Sequence, residues 1–379
     1  MDAKAAARET VTANERQLIA LSHRIHAHPE LKFEEEQSSA WTAGLLDDGG
    51  LSVEFGAYDL PTAFVTRVGD GPLHLAICAE YDALPAIGHA CGHNIIAATA
   101  VGAGLALAPL VDELGLTVTV IGTPAEEGGG GKVLLLERGA FAGMHAAMMV
   151  HPAPIEDMTP RISAVAHFRV QYTGRESHAA AAPQLGINAL DAMTVAQVAI
   201  GLLRQHLRAG EQIHGFVAHG GDAPNVVPAH TEGPWMARAT TLTDLAQLLP
   251  RVHQCFHAGA IATGATLAIE DVAPDYSHME HDHELVELYR ANARELARPE
   301  PLDNAMTFST DMGNVSLTMP SIHPTIAIDS AGAVNHQPEF AAACINASAD
   351  RAVLEGSLAL AWSAIDIATG SVRDRLLER

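Results

Sequence analysis

The 379-residue chain is too long for one small hydrophobic core, and its length predicts two domains. A formal net charge of -23 argues against nucleic acid and anionic membranes as partners, because both require basic patches. The four cysteines form no CxxC pair or dense framework, which is typical of a cytoplasmic protein without structural disulfides.

The N-terminal residues favour two helices. Thr12 and Glu15 form a capping-box pattern, which predicts that the first helix begins there. The three glutamates at positions 34–36 are interpreted as the solvated start of the second helix.

Four strand patterns and one apolar helix follow. Residues 62–68 and 73–79 are predicted strands on either side of a Gly-Asp-Gly turn, and residues 116–121 and 146–150 are further buried strands. The apolar run at residues 95–111 is short for a bilayer span, so we expect a buried core helix.

Polar side chains follow three of these strands. The strand at residues 73–79 leads into the segment GHACGHN, in which Cys91 and His93 fall on one side if the turn is extended. A buried cysteine beside an exposed histidine is the alternative interpretation of that segment. Glu126 and Glu127 follow the next strand and precede four glycines, which is either part of a site or a flexible loop, and His151 ends the last strand. Because strand ends converge in open α/β sheets, the sequence predicts a site at this edge.

From residue 161 the pattern changes to β-α-β-β-α-β, the order of a ferredoxin-like unit. We therefore expect an α/β protein of two domains. A catalytic domain is formed by residues 1–160 and 276–379, and residues 161–275 form an inserted α+β lid. A loop that holds His336 precedes a long closing helix, predicted at residues 339–368.

The predicted chemistry depends on five side chains of mixed N, O and S type. They are Cys91, His93, Glu127, His151 and His336. One tetrahedral metal ion with an open position cannot use five ligands, whereas two ions that share a ligand and a water use all of them. The sulfur of Cys91 is the best shared ligand, Glu126 is the candidate general base, and Asp82 is expected to orient a ligating imidazole. This set predicts amide hydrolysis without a covalent intermediate.

Several long motifs, in the same order along the chain, resemble the aminoacylase/carboxypeptidase-G family of two-metal amidohydrolases and peptidases. They include CAEYDALPAIGHACGHNIIA, TPAEEGGGGK, GRESHAAAAPQLGINALDA, GGDAPNVVP and STDMGNVS. The likeness is greatest to the Cys-containing branch with the auxin-conjugate hydrolases, and within it to the β-alanyl-lysine dipeptidase and aminobenzoyl-glutamate hydrolase group. The resemblance implies a zinc-peptidase-like catalytic domain that cleaves a dipeptide or N-acyl amino acid ending in a free carboxylate.

The resemblance also implies roles for individual residues. The same five side chains match the family's ligands to two divalent ions, with zinc the default and manganese, cobalt or nickel possible, and Glu126 matches its base. His178 matches a lid histidine that stabilises the oxyanion across a dimer, so a homodimer or higher oligomer is expected. Asn225, Arg238 and Gly332 match positions near the substrate carboxylate. One departure is Glu80, which stands where other branches carry a metal-binding histidine.

Three alternatives remain at this point. A carboxypeptidase or an aminobenzoyl-glutamate-type hydrolase would use the same scaffold. A thiol enzyme would use Cys91 as a nucleophile paired with His93, although no oxyanion or orienting motif accompanies the pair. A non-catalytic scaffold protein of this fold should have lost ligands or base, and here the set is complete.

Overall fold

The computed structural model describes residues 2–379. The chain forms two compact units, one comprising the residues up to Arg161 together with Met279–Arg379, and the other Ile162–His278. The sequence-based boundaries for the inserted segment are residues 161 and 275.

The first unit contains most of the helices. In its N-terminal part the elements are α1 Ala3–His26, α2 Glu36–Asp48, β1 Val53–Phe55, β2 Phe64–Val68, β3 Leu73–Ala79, α3 His93–Leu107, α4 Val111–Leu114, β4 Leu116–Gly122, α5 Gly131–Glu137, β5 Ala146–Met148 and β6 His151–Ala153. A two-residue strand, β7 (Arg161–Ile162), lies at the boundary between the units.

Four strands and two helices form the inserted unit. They are β8 Ala164–Thr173, α6 Ala189–Leu203, β9 Gln212–Gly215, β10 His230–Ala239, α7 Leu242–Thr263 and β11 Thr266–Asp271. The first unit resumes with α8 His283–Glu295, β12 Thr307–Phe308, α9 Met312–Ser316, β13 Ser321–Ile322, β14 Thr325–Ala327, α10 Pro338–Ala343, α11 Ala347–Thr369 and α12 Val372–Leu377.

The sheet of the first unit has six strands in the order β1-β2-β4-β3-β5-β13. Strands β3, β4, β5 and β13 run parallel, and β2 pairs antiparallel with β4. In the register, Ala79 of β3 lies opposite Gly122 of β4, so these two strands end at the same level. The residues that follow β3, β4 and β5 therefore leave the sheet at one edge.

Helix α3 forms the centre of the first core. All of its residues are buried, and it packs against α1 and α11. This confirms the buried helix expected from an all-round apolar sequence. Two segments, His93–Leu114 and Ala347–Thr369, are long and apolar enough to cross a membrane, but both lie largely inside this core.

The inserted unit is a four-stranded antiparallel sheet in the order β11-β8-β10-β9. Helices α6 and α7 pack against one another and against this sheet, and they share an apolar core that includes Phe168, Trp235 and Phe256. The two-domain α/β architecture with a ferredoxin-like insertion, expected from the sequence, is confirmed.

Two local predictions were wrong. The cap of helix α1 is Asp2, ten residues before the predicted cap. The Asp2 side chain accepts hydrogen bonds from the amides of Lys4 and Ala5, and the Ala-rich start favours helix. The closing helix is broken before α11, where the Asn346 side chain caps a new start. The two strands predicted on either side of the Gly-Asp-Gly turn, β2 and β3, are present. They are not hydrogen-bonded to each other, because β4 lies between them and the Gly71 amide donates to the Leu116 carbonyl.

The close packing of α3 on α11 gives a first prediction. A Cβ on Gly102 would lie 2.2 Å from the Ser357 hydroxyl, whereas one on Gly44 in α2 would meet nothing within 4 Å. We expect Gly102→Ala to lower the free energy of unfolding by about 1–3 kcal/mol. The matched Gly44→Ala should leave it unchanged or raise it by up to about 1 kcal/mol. Urea unfolding of both variants tests this, and equal stabilities would contradict the packing described.

Candidate metal centre

The candidate site lies at the carboxyl ends of three adjacent strands. Glu80 and Asp82 follow β3, Glu126 and Glu127 follow β4, and His151 lies just beyond β5. Because these strands are neighbours in the parallel part of the sheet, their following residues meet as the sequence predicts.

Cys91 and His93 reach this edge through a turn that is not extended. Gly92 between them has φ 76°, in the left-handed region, and caps the start of α3. A Cβ at this glycine would lie 2.5 Å from the Pro152 ring, so only glycine fits. The alternation argument for Cys91 and His93 was therefore wrong, although the two side chains do converge.

The donor atoms form three groups whose members all lie within 4.8 Å of one another. The groups are Cys91, His93 and His151; Cys91, Glu127 and His336; and Glu80, His93 and Glu126. The first two groups contain all five expected ligands and have one member in common, Cys91. A shared thiol between two sets of mixed ligands is the pattern of a two-ion site.

His336 comes from the loop between β14 and α10, far along the chain, and closes the site. Its Nε2 lies 3.0 Å from the Cys91 sulfur and 3.9 Å from Oε2 of Glu127. Its amide donates a hydrogen bond to the Ala90 carbonyl, and its φ is 70°. A left-handed non-glycine residue costs free energy, and such residues cluster at functional sites.

Hydrogen bonds fix the orientation of the imidazoles. Oδ1 of Asp82 lies 2.9 Å from Nδ1 of His93, while Oδ2 of Asp82 accepts from the Glu127 amide at 2.8 Å. Nδ1 of His151 donates to the Pro152 carbonyl at 2.8 Å. In both histidines the Nε2 atom is left to face the ligand groups, as in metal sites generally.

Buried polar atoms of this site fit a metal. Nε2 of His93 and Oε1 of Glu127 are buried and make no hydrogen bond within the protein. Such atoms are rare in folded proteins, and an ion is one of the partners that satisfies them. The donor set of imidazole, carboxylate and thiol suits zinc and neighbouring transition metals.

Burial and mutual repulsion set the charges of the site. Burial, together with Glu80 and Glu127, holds the pKa of Glu126 well above its usual value. Burial lowers the pKa of His151 to about 4, so this imidazole is neutral, the form that binds metal. Burial opposes the charge on His93, but Asp82 and the other carboxylates outweigh it and raise its pKa.

Three of the expected substrate-site residues belong to the inserted unit. The loops that hold His178 and Asn225 pair with each other, since the Ala179 amide donates to the Asn225 carbonyl at 2.9 Å. Both loops adjoin the start of β10, whereas Arg238 lies near the end of β10, opposite Val165. The structure brings His178 and Asn225 together and places Arg238 at the other end of the sheet.

The fourth expected residue, Gly332, lies on the loop that holds His336. It has φ 89° and is exposed, and a Cβ there would meet nothing within 4 Å. Its backbone is therefore open to a ligand.

Four buried residues beside the site were missed by the sequence analysis. They are Glu35, Lys132, Asp311 and His323. Glu35 was interpreted as solvated, but it is fully buried and accepts hydrogen bonds from the Ala125 amide and the Thr62 hydroxyl. The tertiary fold buries Glu35 although the acidic residues beside it in the sequence favour an exposed position. Lys132 directly follows the four glycines, which was the available signal.

His323 lies against a ligand. Its ring is 5.6 Å from that of His151, and burial holds its pKa well below the usual value. It therefore packs on His151 as a neutral ring.

A family model described as peptidase family M20/M25/M40 matches residues 76–353, which is most of the chain. The chain belongs to this family. It is accordingly a metal-dependent hydrolase of amide bonds in small peptide-like substrates, as the motifs indicate, and the two-ion ligand groups agree with that membership.

Relatives of this M20-family chain match two thirds or more of its length. It is 35% identical to Xaa-Arg dipeptidase of Mus musculus over 96% of this chain and 88% of that protein. It is 30% identical to one of the subunits of p-aminobenzoyl-glutamate hydrolase of Escherichia coli K12, over 68% of this chain and 58% of that protein. A solved structure, the YXEP protein of Bacillus subtilis, described as a dinuclear metal-binding peptidase of the M20 family, has the same fold. Its TM-score is 0.68 at 19% identity, with 94% of this chain and 99% of that one covered.

Glu35 gives a prediction for this M20-family chain. Burial, with the Asp82 charge, raises its pKa from 4.5 to about 7. The folded state therefore holds the proton more tightly than the unfolded state, and the unfolding free energy falls as pH rises from about 4.5 to 7. The difference corresponds to roughly 3 kcal/mol at most.

The isosteric Glu35→Gln should remove this decline, because its amide keeps one acceptor oxygen and does not ionise. Urea unfolding in EDTA, at about four pH values from about 5 to 8, measures the unfolding free energy of the wild type and of Glu35→Gln. Glu34→Gln at the exposed neighbour is the matched control and should follow the wild type. Parallel curves for the wild type and Glu35→Gln would show that the carboxyl is not perturbed.

Proposed function

We propose that this enzyme hydrolyses the amide bond of a dipeptide or an N-acyl amino acid that ends in a free carboxylate. The observation that carries the proposal is the Cys91 sulfur, which belongs to both ligand groups. The relatives named Xaa-Arg dipeptidase and p-aminobenzoyl-glutamate hydrolase support substrates of this class. They also define the alternative, an aminobenzoyl-glutamate-type hydrolase or carboxypeptidase on the same scaffold.

In this proposal five residues hold two divalent ions. Cys91, His93 and His151 would hold one ion, and Cys91, Glu127 and His336 the other. When bound, two such ions polarise a substrate carbonyl and lower the pKa of a water. Zinc is our first choice for these donors, with manganese, cobalt or nickel as substitutes.

Glu126 is proposed as the general base. Its carboxylate lies 3.8 Å from Nε2 of His93, and its side chain is almost fully buried. It takes the proton of the attacking water as the new C–O bond forms, and it gives that proton to the amine nitrogen as the C–N bond breaks. A raised pKa suits this role, because the same carboxyl must accept and then release the proton.

The thiol-enzyme alternative is less well supported. Burial and the neighbouring Glu127 raise the pKa of Cys91, so its thiolate requires a strong positive charge beside the sulfur, which a bound divalent ion supplies and a metal-free thiol enzyme lacks. The sulfur also lies between two groups of metal donors. We therefore assign Cys91 to metal binding.

We further propose a homodimer in which each chain completes the site of the other. The stretch of β10 from His230 to Arg238 extends about 25 Å, whereas a dipeptide spans roughly 7 Å. One inserted unit therefore cannot bring both Arg238 and His178 to the same small substrate. Arg238 is proposed to bind the substrate carboxylate, and His178 of a second chain, beside its Asn225, to stabilise the oxyanion.

An exposed surface of the inserted unit supports this dimer. Val198 and Leu202 lie one turn apart on α6 and are largely exposed, and Phe216 follows the edge strand β9. An apolar helix face beside an open sheet edge is suited to pairing with a second copy.

We also propose a cytoplasmic location. All four cysteines are free and buried, and none is paired in a disulfide, as expected for a reducing compartment. Fractionation of the native cells tests this, and recovery outside the cytoplasm would contradict it.

The proposed base gives the central prediction. Glu126→Gln should lower kcat by about 10²–10⁴-fold on dipeptides, Xaa-Arg dipeptides included, on N-acyl amino acids and on aminobenzoyl-glutamate. Its metal content should stay at the wild-type value, because Glu126 is not among the five assigned ligands. EDTA should abolish wild-type activity. Full activity of Glu126→Gln, or activity that survives complete metal removal, would contradict the metal-dependent mechanism with Glu126 as general base.

Complementation between chains tests the dimer. Glu126→Gln and His178→Ala chains should each be inactive alone. After exchange of chains in an equimolar mixture, a site made of Glu126 from one chain and His178 from the other should restore about a quarter of wild-type activity. Light scattering checks that the mixture is dimeric. No recovery in a mixture shown to exchange chains would mean that His178 acts within its own chain or not at all.

A further inference from the structure

A buried ammonium group adjoins the proposed metal centre. The Lys132 side chain is fully buried, and its Nζ lies 2.5 Å from Oε1 of Glu80 and 2.7 Å from Oδ1 of Asp311. Both carboxylates are themselves fully buried. Burial lowers the pKa of Lys132, but the two carboxylates more than offset this and hold it well above its usual value. The ammonium is therefore a fixed positive charge.

The backbone holds Lys132 in this place. It is the second residue of α5, and its amide donates to Oδ2 of Asp311 at 2.8 Å. A Cβ on Gly131 would lie 1.8 Å from the Pro124 carbonyl oxygen, so glycine allows α5 to begin directly against the end of β4. Asp311 is thus held by both the amide and the ammonium of one residue.

Glu80 also belongs to the third group of donors, with His93 and Glu126. Its second oxygen, Oε2, lies 3.4 Å from Nε2 of His93. Both of these atoms are buried and make no hydrogen bond within the protein. By distance and chemistry, Glu80 is thus as capable of binding an ion as the five assigned ligands.

We propose that Lys132 is a positioning residue whose ammonium, held by Glu80 and Asp311, occupies the place where a further divalent ion would otherwise bind. It holds Glu80 out of the ligand set, so the centre takes two divalent ions and not a third. This inference rests on the proposed two-ion site. The physical reason is repulsion: an ion on Oε2 of Glu80 would lie within a few ångströms of the ammonium on Oε1, in a poorly screened interior. Glu80 therefore binds no ion, and His93 remains available for the ion that His93, Cys91 and His151 hold together.

The test is the number of ions bound, measured by elemental analysis of folded protein after equilibration with Mn²⁺ or Zn²⁺. The wild type should bind about two per chain. Lys132→Met nearly keeps the length of the side chain and removes its charge, so the carboxylates of Glu80 and Asp311 become free to hold a third ion. This variant should bind about three ions per chain, with the extra ion lost on mild dialysis. The double variant Lys132→Met with Glu80→Gln also lacks the Glu80 carboxylate that would hold the extra ion. Its count should therefore return to about two ions per chain.

A control separates this effect from general loss of stability. Arg298 and Glu156 form another buried ion pair of the first unit, at 2.9 Å, and Arg298 makes its hydrogen bonds to Glu156, Glu355 and Ala327. Arg298→Met removes a buried cation as Lys132→Met does, and it should bind the wild-type number of ions.

Lys132→Met leaves two buried carboxylates without their partner and is expected to fold poorly without metal. A divalent ion should replace the missing charge, so added Mn²⁺ should raise its Tm more than it raises that of the wild type. This additional shift should disappear in the double variant.

Each outcome bears on one proposal. A wild type that does not bind two ions contradicts the ligand assignment. If the wild type binds two ions per chain and folded Lys132→Met also binds only two, the role proposed for Lys132 is contradicted and the ligand assignment is not. Failure of Lys132→Met to fold at saturating metal also counts against it, because an ion then cannot take the place of the ammonium.

Discussion

The concentration of negative charge at one edge of the sheet is the constraint on which the rest of this structure depends. Glu80 and Asp82 follow one strand, Glu126 and Glu127 follow its neighbour, and all four carboxylates are buried or nearly so. Like charges in a poorly solvated interior repel each other and raise each other's pKa. Such an arrangement favours cations strongly, and this explains why the pKa of His93 is raised and why Lys132 is buried nearby.

Asp82 connects the segments that provide the ligands. One of its oxygens faces His93 at the start of α3, and the other accepts from the Glu127 amide beyond β4. Its own backbone belongs to the end of β3. A single carboxylate thus ties two ligand segments to a third strand. Burial alone would raise its pKa, but the charge and hydrogen bond of His93, the Glu127 amide and Lys132 together lower it. Ligand positions fixed in this way need little reorganisation when ions bind.

Two residues with a left-handed backbone adjoin the ligand segments. Ala125, directly before the two glutamates, has φ 59°, and His336 has φ 70°. Both are held by hydrogen bonds from their amides, to the Glu35 carboxylate and to the Ala90 carbonyl. Because left-handed alanine and histidine are unfavourable, the surrounding structure must stabilise them. Glu35 therefore helps to position the segment that holds Glu126 and Glu127, a role that the run of glutamates at positions 34–36 does not indicate.

Strand and helix patterns in the sequence determined the sheet, the ferredoxin-like insertion and the convergence of Cys91, His93, Glu127, His151 and His336. These follow from local periodicity, from polar residues placed after buried strands, and from long motifs, all of which are properties of short segments. The tertiary structure alone decided the partners of buried charge: that Glu35 is buried among acidic residues, that Lys132 neutralises Glu80 and Asp311, and that β4 lies between β2 and β3. The physical reason is that burial and Coulomb interactions depend on distances between residues far apart in the chain, such as the 179 positions that separate Lys132 from Asp311.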